Sequence, residues 1–283
     1  MTTEQAICFE NDGETLRGIL HLPARTASGP PPGVVFLHGW SGCRLGPHRM
    51  FVKAARRFAA QGWMCLRFDF RGRGESDGAS DRTTIHSMIS DTHGAIEFLR
   101  ARQTVRPVVL LGICSGGKVA VAAAASDARA EGLVLWSAEP LGGLGGRPIR
   151  AGRSARVLRE YAHKLARPET WRKLLRLQVH GKLVGKAILQ AETPDRAERR
   201  DEDRLLEAFR AFGGRALFVY GGNDPDTKRA AHTYRRFCRE NSIAHQFHEI
   251  AESNHSFYSL AWEHEAIERS AAWLARLHAW SRT

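Results

Sequence analysis

The stretch that decides the fold of this chain is Val108-Val109-Leu110-Leu111-Gly112-Ile113-Cys114-Ser115-Gly116-Gly117. Its leading apolar residues, two of them β-branched, predict a strand that is fully buried. The Ala- and Val-rich run that begins at Lys118 predicts a helix packed against a sheet. Between them, Gly-x-Cys-x-Gly-Gly has the layout of a nucleophile elbow, a sharp turn from strand to helix that exposes one side chain.

The glycines of this turn indicate which residue stands at its tip. The backbone two residues before the tip comes close to the backbone two residues after it, so only small residues fit there. Gly112 and Gly116 flank Cys114 symmetrically, whereas a tip at Ser115 would place Ile113 at a tight position. We therefore predict Cys114 as the nucleophile and keep Ser115 as the alternative nucleophile. A Gly-rich turn that merely buries a cysteine is the structural alternative.

The composition favours one large domain that contains neither disulfides nor a metal site. The chain has 283 residues, and 43% of them are hydrophobic, which suffices for a sizeable core and a subdomain. The five cysteines are scattered and form no CxxC pair, so we expect no disulfide framework, no bound metal and no cofactor. Neither a signal peptide nor an apolar run of the roughly 18 residues typical of a membrane span is evident. We therefore expect a cytoplasmic protein.

Predicted strands and helices alternate on both sides of the elbow. Strands are predicted at 7–10, 16–22, 34–37, 63–70, 133–136, 216–220 and 244–250, the first two joined by an Asp12-Gly13 turn. Helices are predicted at 49–61, 85–102, 227–240 and 263–280. This alternation predicts an α/β fold with a doubly wound, mostly parallel sheet.

The alternation breaks between residues 138 and 213. Because this interval is much longer than a strand-helix-strand unit needs, and its middle has helical spacing, we predict a helical cap inserted into a core formed by 1–137 and 214–283. Between Arg147 and Leu189, twelve Lys and Arg residues face only two Glu residues. This basic stretch is interpreted as a solvated face, a site for an anionic acyl substrate, or a weak contact with a membrane surface. Nucleic-acid binding is not expected, since no basic motif is interleaved with aromatic residues.

Three chemically reactive or polar side chains each follow a predicted strand, namely Cys114, Asp224 and His255. Ligands of open α/β sheets bind at the carboxyl ends of the strands. There, a histidine can take the proton of a thiol and later return one to a leaving group, while a carboxylate fixes the histidine tautomer. A neighbouring imidazolium favours the reactive thiolate over the thiol. We predict these residues as a catalytic set, with Glu139, which follows another strand, as the alternative acid.

A hydrolytic site of this kind also needs donors for a developing oxyanion. The backbone N–H of Ser115 lies at the predicted start of a helix, and that of Trp40 lies in a turn after an earlier strand. We predict that these two groups form the oxyanion hole.

These motifs resemble those of the α/β-hydrolase superfamily over nearly the whole chain. The matching pieces are the elbow, His38-Gly39-Trp40-Ser41-Gly42, Asp69-x-Arg71-Gly72-x-Gly74-x-Ser76, Gly222-Asn223-Asp224 and Asn254-His255-Ser256-Phe257. The resemblance implies an eight-stranded α/β-hydrolase sheet with a helical cap. It also implies that the loop from Asp69 to Ser76, which lacks the Gly-Lys-Ser/Thr ending of a phosphate-binding loop, is structural.

The finer resemblance is to several branches of that superfamily. The position of the cap is similar to that in the capped esterase, monoglyceride-lipase and aminopeptidase-like branch, and the elbow is similar to that of dienelactone hydrolases, which use cysteine. The segment Pro168-x-x-Trp171-Arg172-x-Leu174-Leu175 is similar to hydrolases that accompany exosortase systems. The resemblance implies a hydrolase that acts on a small-molecule carboxylic ester or thioester through an acyl-enzyme. A non-catalytic binding protein with the same fold is the alternative from another functional class.

Overall fold

The computed structural model describes residues 2–23, 30–102, 105–142 and 196–280. Its strands are β1 (Thr3–Asn11), β2 (Glu14–Leu22), β3 (Gly33–Leu37), β4 (Met64–Phe68), β5 (Val108–Ile113), β6 (Ala130–Trp136), β7 (Arg215–Gly221) and β8 (Ala244–Ile250). Its α-helices are α1 (Met50–Ala60), α2 (Ile85–Arg102), α3 (Ser115–Ser126), α4 (Arg196–Phe209), α5 (Pro225–Glu240) and α6 (Leu260–Trp280).

One eight-stranded sheet joins these strands in the order β1-β2-β4-β3-β5-β6-β7-β8. The strands β1 and β2 form an antiparallel hairpin, β2 pairs antiparallel with β4, and all other neighbours are parallel. The predicted turn joins the hairpin, and Asp12 and Gly13 have φ values of 48° and 80°, as a two-residue hairpin turn requires. The structure confirms the predicted doubly wound, mostly parallel sheet.

Apolar side chains form a separate core on each face of the sheet. The helices α2, α3, α4 and α5 contribute to one core, and α1 and α6 contribute to the other. The strands β3 and β5 are buried throughout, which explains why they are unbroken apolar runs in the sequence. Because the parallel strands all point the same way, the loops after β3, β5, β6, β7 and β8 meet at one edge of the sheet.

The helix α3 begins at Ser115 rather than at the predicted Lys118. Glycine is a poor helix former, so the sequence analysis predicted a helix that begins only after Gly116 and Gly117. Both lie in the helix because its first turn packs very closely on the rest of the domain. A Cβ atom at Gly116 would overlap the carbonyl oxygen of Leu37, and one at Gly117 would crowd Ala138. Tertiary packing therefore overrides helix propensity here.

Only the ends of the predicted cap, 138–142 and 196–213, lie among the described residues, and the basic stretch 147–189 lies outside them. The described helix of this interval, α4, packs on α3 through an ion pair between Lys118 and Glu202. At its end Phe209 is fully buried, and its ring stacks on those of Phe212 and Phe237. Side chains at the end of the interval thus pack into the core of the domain. The boundaries of the cap stay a prediction.

The loop from Asp69 to Ser76 holds itself together through the buried carboxylate of Asp69. This carboxylate accepts hydrogen bonds from the backbone N–H groups of Arg44, at 2.6 Å, and Glu75, at 3.1 Å, and it forms an ion pair with the Arg44 guanidinium. The Ser76 hydroxyl donates to the Asp69 carbonyl oxygen at 2.6 Å. The structure confirms that the loop has a structural role, which the resemblance implied.

Gly74 provides a test of this loop. Its φ is +52°, and a Cβ atom at this position would overlap the carboxylate of Asp69, which is fully buried and cannot move aside without breaking its hydrogen bonds. We expect Gly74→Ala to lower the free energy of unfolding by about 2 kcal/mol or more, as measured by urea denaturation.

The matched control is Gly213→Ala, because no heavy atom lies within 4 Å of a Cβ built at that position. We expect this variant to stay within about 0.5 kcal/mol of the parent protein. Equal stability of the two variants would show that the Asp69 cluster does not constrain the loop.

Candidate active site

Cys114 stands at the tip of the turn between β5 and α3. Its backbone has φ 57° and ψ −125°, a costly conformation for any residue with a side chain. A Cβ atom at Gly112 would overlap the backbone of Gly116, so the turn closes as tightly as the sequence predicted. Ser115, the alternative nucleophile, is the first residue of α3. The backbone therefore presents the thiol, and not the adjacent hydroxyl, at the strained tip.

Asp224 and His255 meet beside the elbow, each at the end of its strand. The Nδ1 atom of His255 lies 2.7 Å from the Oδ2 atom of Asp224, which is almost completely buried. Burial by itself would lower the pKa of His255, but the hydrogen bond to Asp224 and the nearby Cys114 sulfur raise it to about 10. The structure thus brings together the thiol, imidazole and carboxylate that the sequence analysis singled out.

Glu139, the alternative acid, lies against the thiol. The Cys114 Sγ donates to the Glu139 Oε1 at 3.2 Å. The main chain of Glu139 is fixed as well, since its N–H donates to the Cys114 carbonyl oxygen at 3.2 Å and its own carbonyl oxygen accepts from the Tyr234 hydroxyl at 2.9 Å. A thiol can donate to this carboxylate, whereas a thiolate would be repelled by it. Glu139 is therefore the carboxylate in contact with the Cys114 sulfur, while Asp224 is the carboxylate on His255 Nδ1.

The predicted oxyanion donors lie side by side at the same edge. The Trp40 N–H donates to the hydroxyl oxygen of Ser115 at 2.7 Å, which ties the loop after β3 to the start of α3. Behind this loop His38 is buried, and burial lowers its pKa. Its Nδ1 lies 2.8 Å from the Gly39 carbonyl oxygen, and its Nε2 accepts from the Phe70 N–H at 3.3 Å. A neutral imidazole with the proton on Nδ1 satisfies both contacts, so His38 holds the loop in place.

A second histidine, His48, supports the loop that carries His255. Its Nε2 lies 2.8 Å from the carbonyl oxygen of Ser256, and its Nδ1 lies 2.7 Å from the carboxylate of Glu263. Lys53 also contacts this buried carboxylate, at 2.6 Å. The sequence analysis did not identify this support, because the partners are more than 200 positions apart in the chain. No local pattern could have signalled the contact.

The other cysteines differ from Cys114 in their surroundings. Cys65 and Cys238 are buried, and burial raises the pKa of both thiols, that of Cys238 to about 12. Cys8 is exposed and Cys43 is half-buried, and all five cysteines are free thiols. In the described ranges, no group of three or more His, Cys, Asp or Glu side chains is arranged to hold a metal ion.

Comparison with known families agrees with this architecture. The model of the family described as "Alpha/beta hydrolase family" matches residues 34–271. The chain belongs to the alpha/beta hydrolase family. This membership, together with the eight-stranded sheet, confirms the fold that the elbow and the alternation predicted, and it supports the expectation of a hydrolase.

Solved structures show the same fold. The ferulic acid complex of Est1E from Butyrivibrio proteoclasticus has a TM-score of 0.67 and 18% identity, and the match covers 97% of this chain and 100% of that one. A Pyrococcus furiosus esterase has a TM-score of 0.69 and 16% identity, with 98% and 92% covered. A dienelactone hydrolase from Anabaena variabilis has a TM-score of 0.65 and 16% identity, with 98% of each chain covered.

Curated relatives match over a shorter region. The quorum-quenching protein AidA of Acinetobacter baumannii is 34% identical over 125 residues, which are 43% of this chain and 39% of that protein. The polyketide transferase GrgF of Penicillium is 33% identical over 122 residues, which are 42% of this chain and 39% of that protein. The chain thus spans about two fifths of the length of these two relatives.

The contact between Asp224 and His255 should make the stability of the protein depend on pH. A histidine whose pKa is raised from about 6.5 to about 10 by folding stabilises the protein fully below pH 6.5 and loses this contribution as the pH rises through 10. We expect Asp224→Asn to lower the pKa of His255, as measured by NMR titration, and to flatten the dependence of unfolding free energy on pH over this window.

Glu265→Gln is the matched control, because Glu265 pairs with His248 at a similar distance of 2.6 Å in another part of the domain. This variant should leave the titration of His255 unchanged. An unaltered His255 titration in Asp224→Asn would mean that Asp224 does not stabilise the imidazolium.

Proposed function

We propose that this chain is a hydrolase that cleaves a carboxylic ester or thioester through an acyl-enzyme on Cys114. The observation that carries the proposal is the strained tip of the elbow, which presents the Cys114 thiol at the sheet edge where Asp224 holds the imidazole of His255. Asp224 orients that imidazole and stabilises its cationic form. Family membership supports the reaction class.

In the proposed reaction, His255 holds the proton that Cys114 gives up, and the thiolate attacks the carbonyl carbon of the substrate. The carbonyl electron pair moves onto oxygen, where the backbone N–H groups of Trp40 and Ser115 stabilise the charge. His255 then protonates the leaving alcohol or thiol as the carbon–oxygen or carbon–sulfur bond breaks. His255 next takes a proton from water as its oxygen attacks the acyl carbon. The carbon–sulfur bond to Cys114 then breaks, which releases the acid and restores the thiolate beside the protonated His255.

The alternative nucleophile is Ser115, which would make the protein a serine esterase, lipase or aminopeptidase-like enzyme. Ser115 lies one residue beyond the strained tip, and its hydroxyl accepts from the Trp40 N–H. These two observations favour Cys114. A non-catalytic binding protein with this fold remains the second alternative, and the contact between His255 and Asp224 argues against it, because binding alone needs no oriented imidazole.

The proposed substrate is a small-molecule ester or thioester. Among similar proteins, one solved structure holds ferulic acid, and one curated relative is a lysophosphatidylserine lipase from Xenopus tropicalis, 32% identical over 89 residues, which are 31% of this chain and 22% of that protein. The basic stretch 147–189 supports an acyl substrate with negative charge, or a weak contact with a membrane surface. No helix in the described part of the chain is long and apolar enough to cross a membrane. The cytoplasmic location stays a prediction.

Labelling and activity together test the nucleophile. We expect Cys114→Ala to abolish rapid alkylation by iodoacetamide at pH 7 and to lower the hydrolysis of p-nitrophenyl acetate by at least about a hundredfold, because the covalent step is lost. Mass spectrometry of the labelled peptides identifies the site.

Cys238→Ala is the control, since burial raises the pKa of this thiol to about 12 and keeps it unreactive. That variant should match the parent protein in labelling and in rate. Activity that survives Cys114→Ala but is lost in Ser115→Ala would transfer the role of nucleophile to Ser115. A parent protein in which Cys114 does not label and no ester is hydrolysed would favour the binding protein.

The contact of Glu139 with the thiol predicts that this carboxylate slows the reactions of Cys114. Two unit charges about 4 Å apart in water repel each other by roughly 1 kcal/mol, which corresponds to about fivefold. We therefore expect Glu139→Gln to alkylate at Cys114 about five times faster than the parent protein at pH 7. If Glu139 were instead the acid that orients His255, the variant would lose ester hydrolysis and would not label faster.

A further inference from the structure

We propose that the side-chain hydroxyl of Ser115 occupies the oxyanion hole of the resting enzyme and has to leave it before an acyl oxygen can bind. The inference rests on the proposed function, because it concerns the same site. It assigns to the hydroxyl a role distinct from that of the Ser115 backbone N–H. It also implies that this hydroxyl is not the nucleophile.

The position of the hydroxyl carries the inference. An oxyanion is stabilised when it lies about 2.7–3.1 Å from its donors, along the direction of each N–H bond. In the resting structure the Ser115 hydroxyl oxygen lies 2.7 Å from the Trp40 nitrogen and accepts its hydrogen. An acyl oxygen that used this donor with full strength would have to stand where the hydroxyl oxygen now stands. The two oxygens therefore compete for one N–H group.

The loop that carries Trp40 is fixed by its surroundings, whereas the Ser115 hydroxyl can rotate. The loop that carries Trp40 lies directly on the elbow, because a Cβ atom built at Gly39 would be 3.4 Å from the Ser115 hydroxyl and 3.6 Å from the Cys114 Cβ. His38 fixes this loop from behind through its contacts with Gly39 and Phe70. The loop is thus held, and the hydroxyl is the part that can move. One rotation about the Cα–Cβ bond of Ser115 carries it to another staggered position.

The direction in which removal of the hydroxyl changes affinity and rate distinguishes the proposed role from two other roles that a hydroxyl could have at this position. If the hydroxyl blocks the hole, an acyl oxygen can bind only after the hydrogen bond between Trp40 and the hydroxyl has broken. Removal of the hydroxyl should then raise the affinity for the acyl oxygen about two- to tenfold. If the hydroxyl were a donor to the oxyanion, its removal would lower the rate by about a hundredfold or more. If it were the nucleophile, its removal would abolish turnover.

The test uses Ser115→Ala, with Ser115→Thr as the matched control that keeps a hydroxyl. The probe is 1,1,1-trifluoroacetone, whose carbonyl carbon bonds reversibly to the Cys114 thiolate while the carbonyl electron pair becomes an oxyanion in the hole. We expect Ser115→Ala to lower the inhibition constant of this ketone two- to tenfold and to raise kcat/KM for p-nitrophenyl acetate in the same proportion. Ser115→Thr keeps the hydroxyl, so it should bind the ketone more weakly than Ser115→Ala does.

Several outcomes would overturn the inference. An inhibition constant that rises in Ser115→Ala would make the hydroxyl an oxyanion donor, and one that is unchanged would mean that it does not occupy the hole. Should Ser115→Ala fold poorly by circular dichroism, Ser115→Gly replaces it with the same expected direction. A different result would show that the proposed function itself is wrong. In that case Cys114→Ala would still hydrolyse the ester or bind the ketone as tightly as the parent protein does.

Discussion

The backbone of the elbow folds back so closely that Gly112 meets Gly116, and Gly116 in turn meets the carbonyl oxygen of Leu37. These contacts exclude side chains on both sides of the turn and hold Cys114 at φ 57° and ψ −125°. The strain is tolerated because β5 is buried and paired with a parallel strand on each side. The rest of the site depends on this constraint, since it sets the position of the thiol and the start of α3.

The charges around the thiol act in opposite directions. The pKa of His255 is raised beside Asp224, so this side chain brings a positive charge, whereas the carboxylate of Glu139 contacts the Cys114 sulfur at 3.2 Å. The groups around the sulfur therefore come from the ends of three strands, β6, β7 and β8.

Two histidines outside the proposed catalytic set keep the surrounding loops in position. His38 holds the loop of Trp40 as a neutral ring, and its burial lowers its pKa, which keeps it in that form. His48 joins the start of α1 to the loop of His255 through the Ser256 carbonyl oxygen and Glu263. Both contacts fix the backbone of a loop, so they stabilise the positions of Trp40, a proposed oxyanion donor, and of the His255 imidazole.

The sequence by itself determined the order of strands and helices, the tight turn at Cys114 and the positions of Asp224 and His255 after their strands, because these depend on local periodicity and on where glycine is required. Only the tertiary structure decided that Glu139 lies on the thiol, that Ser115 accepts from Trp40, and that α3 starts at its glycines. These contacts join residues from different loops, and their distances follow from how the sheet aligns its strands and how side chains rotate. Neither the alignment of the strands nor the rotation of these side chains can be deduced from a local stretch of sequence.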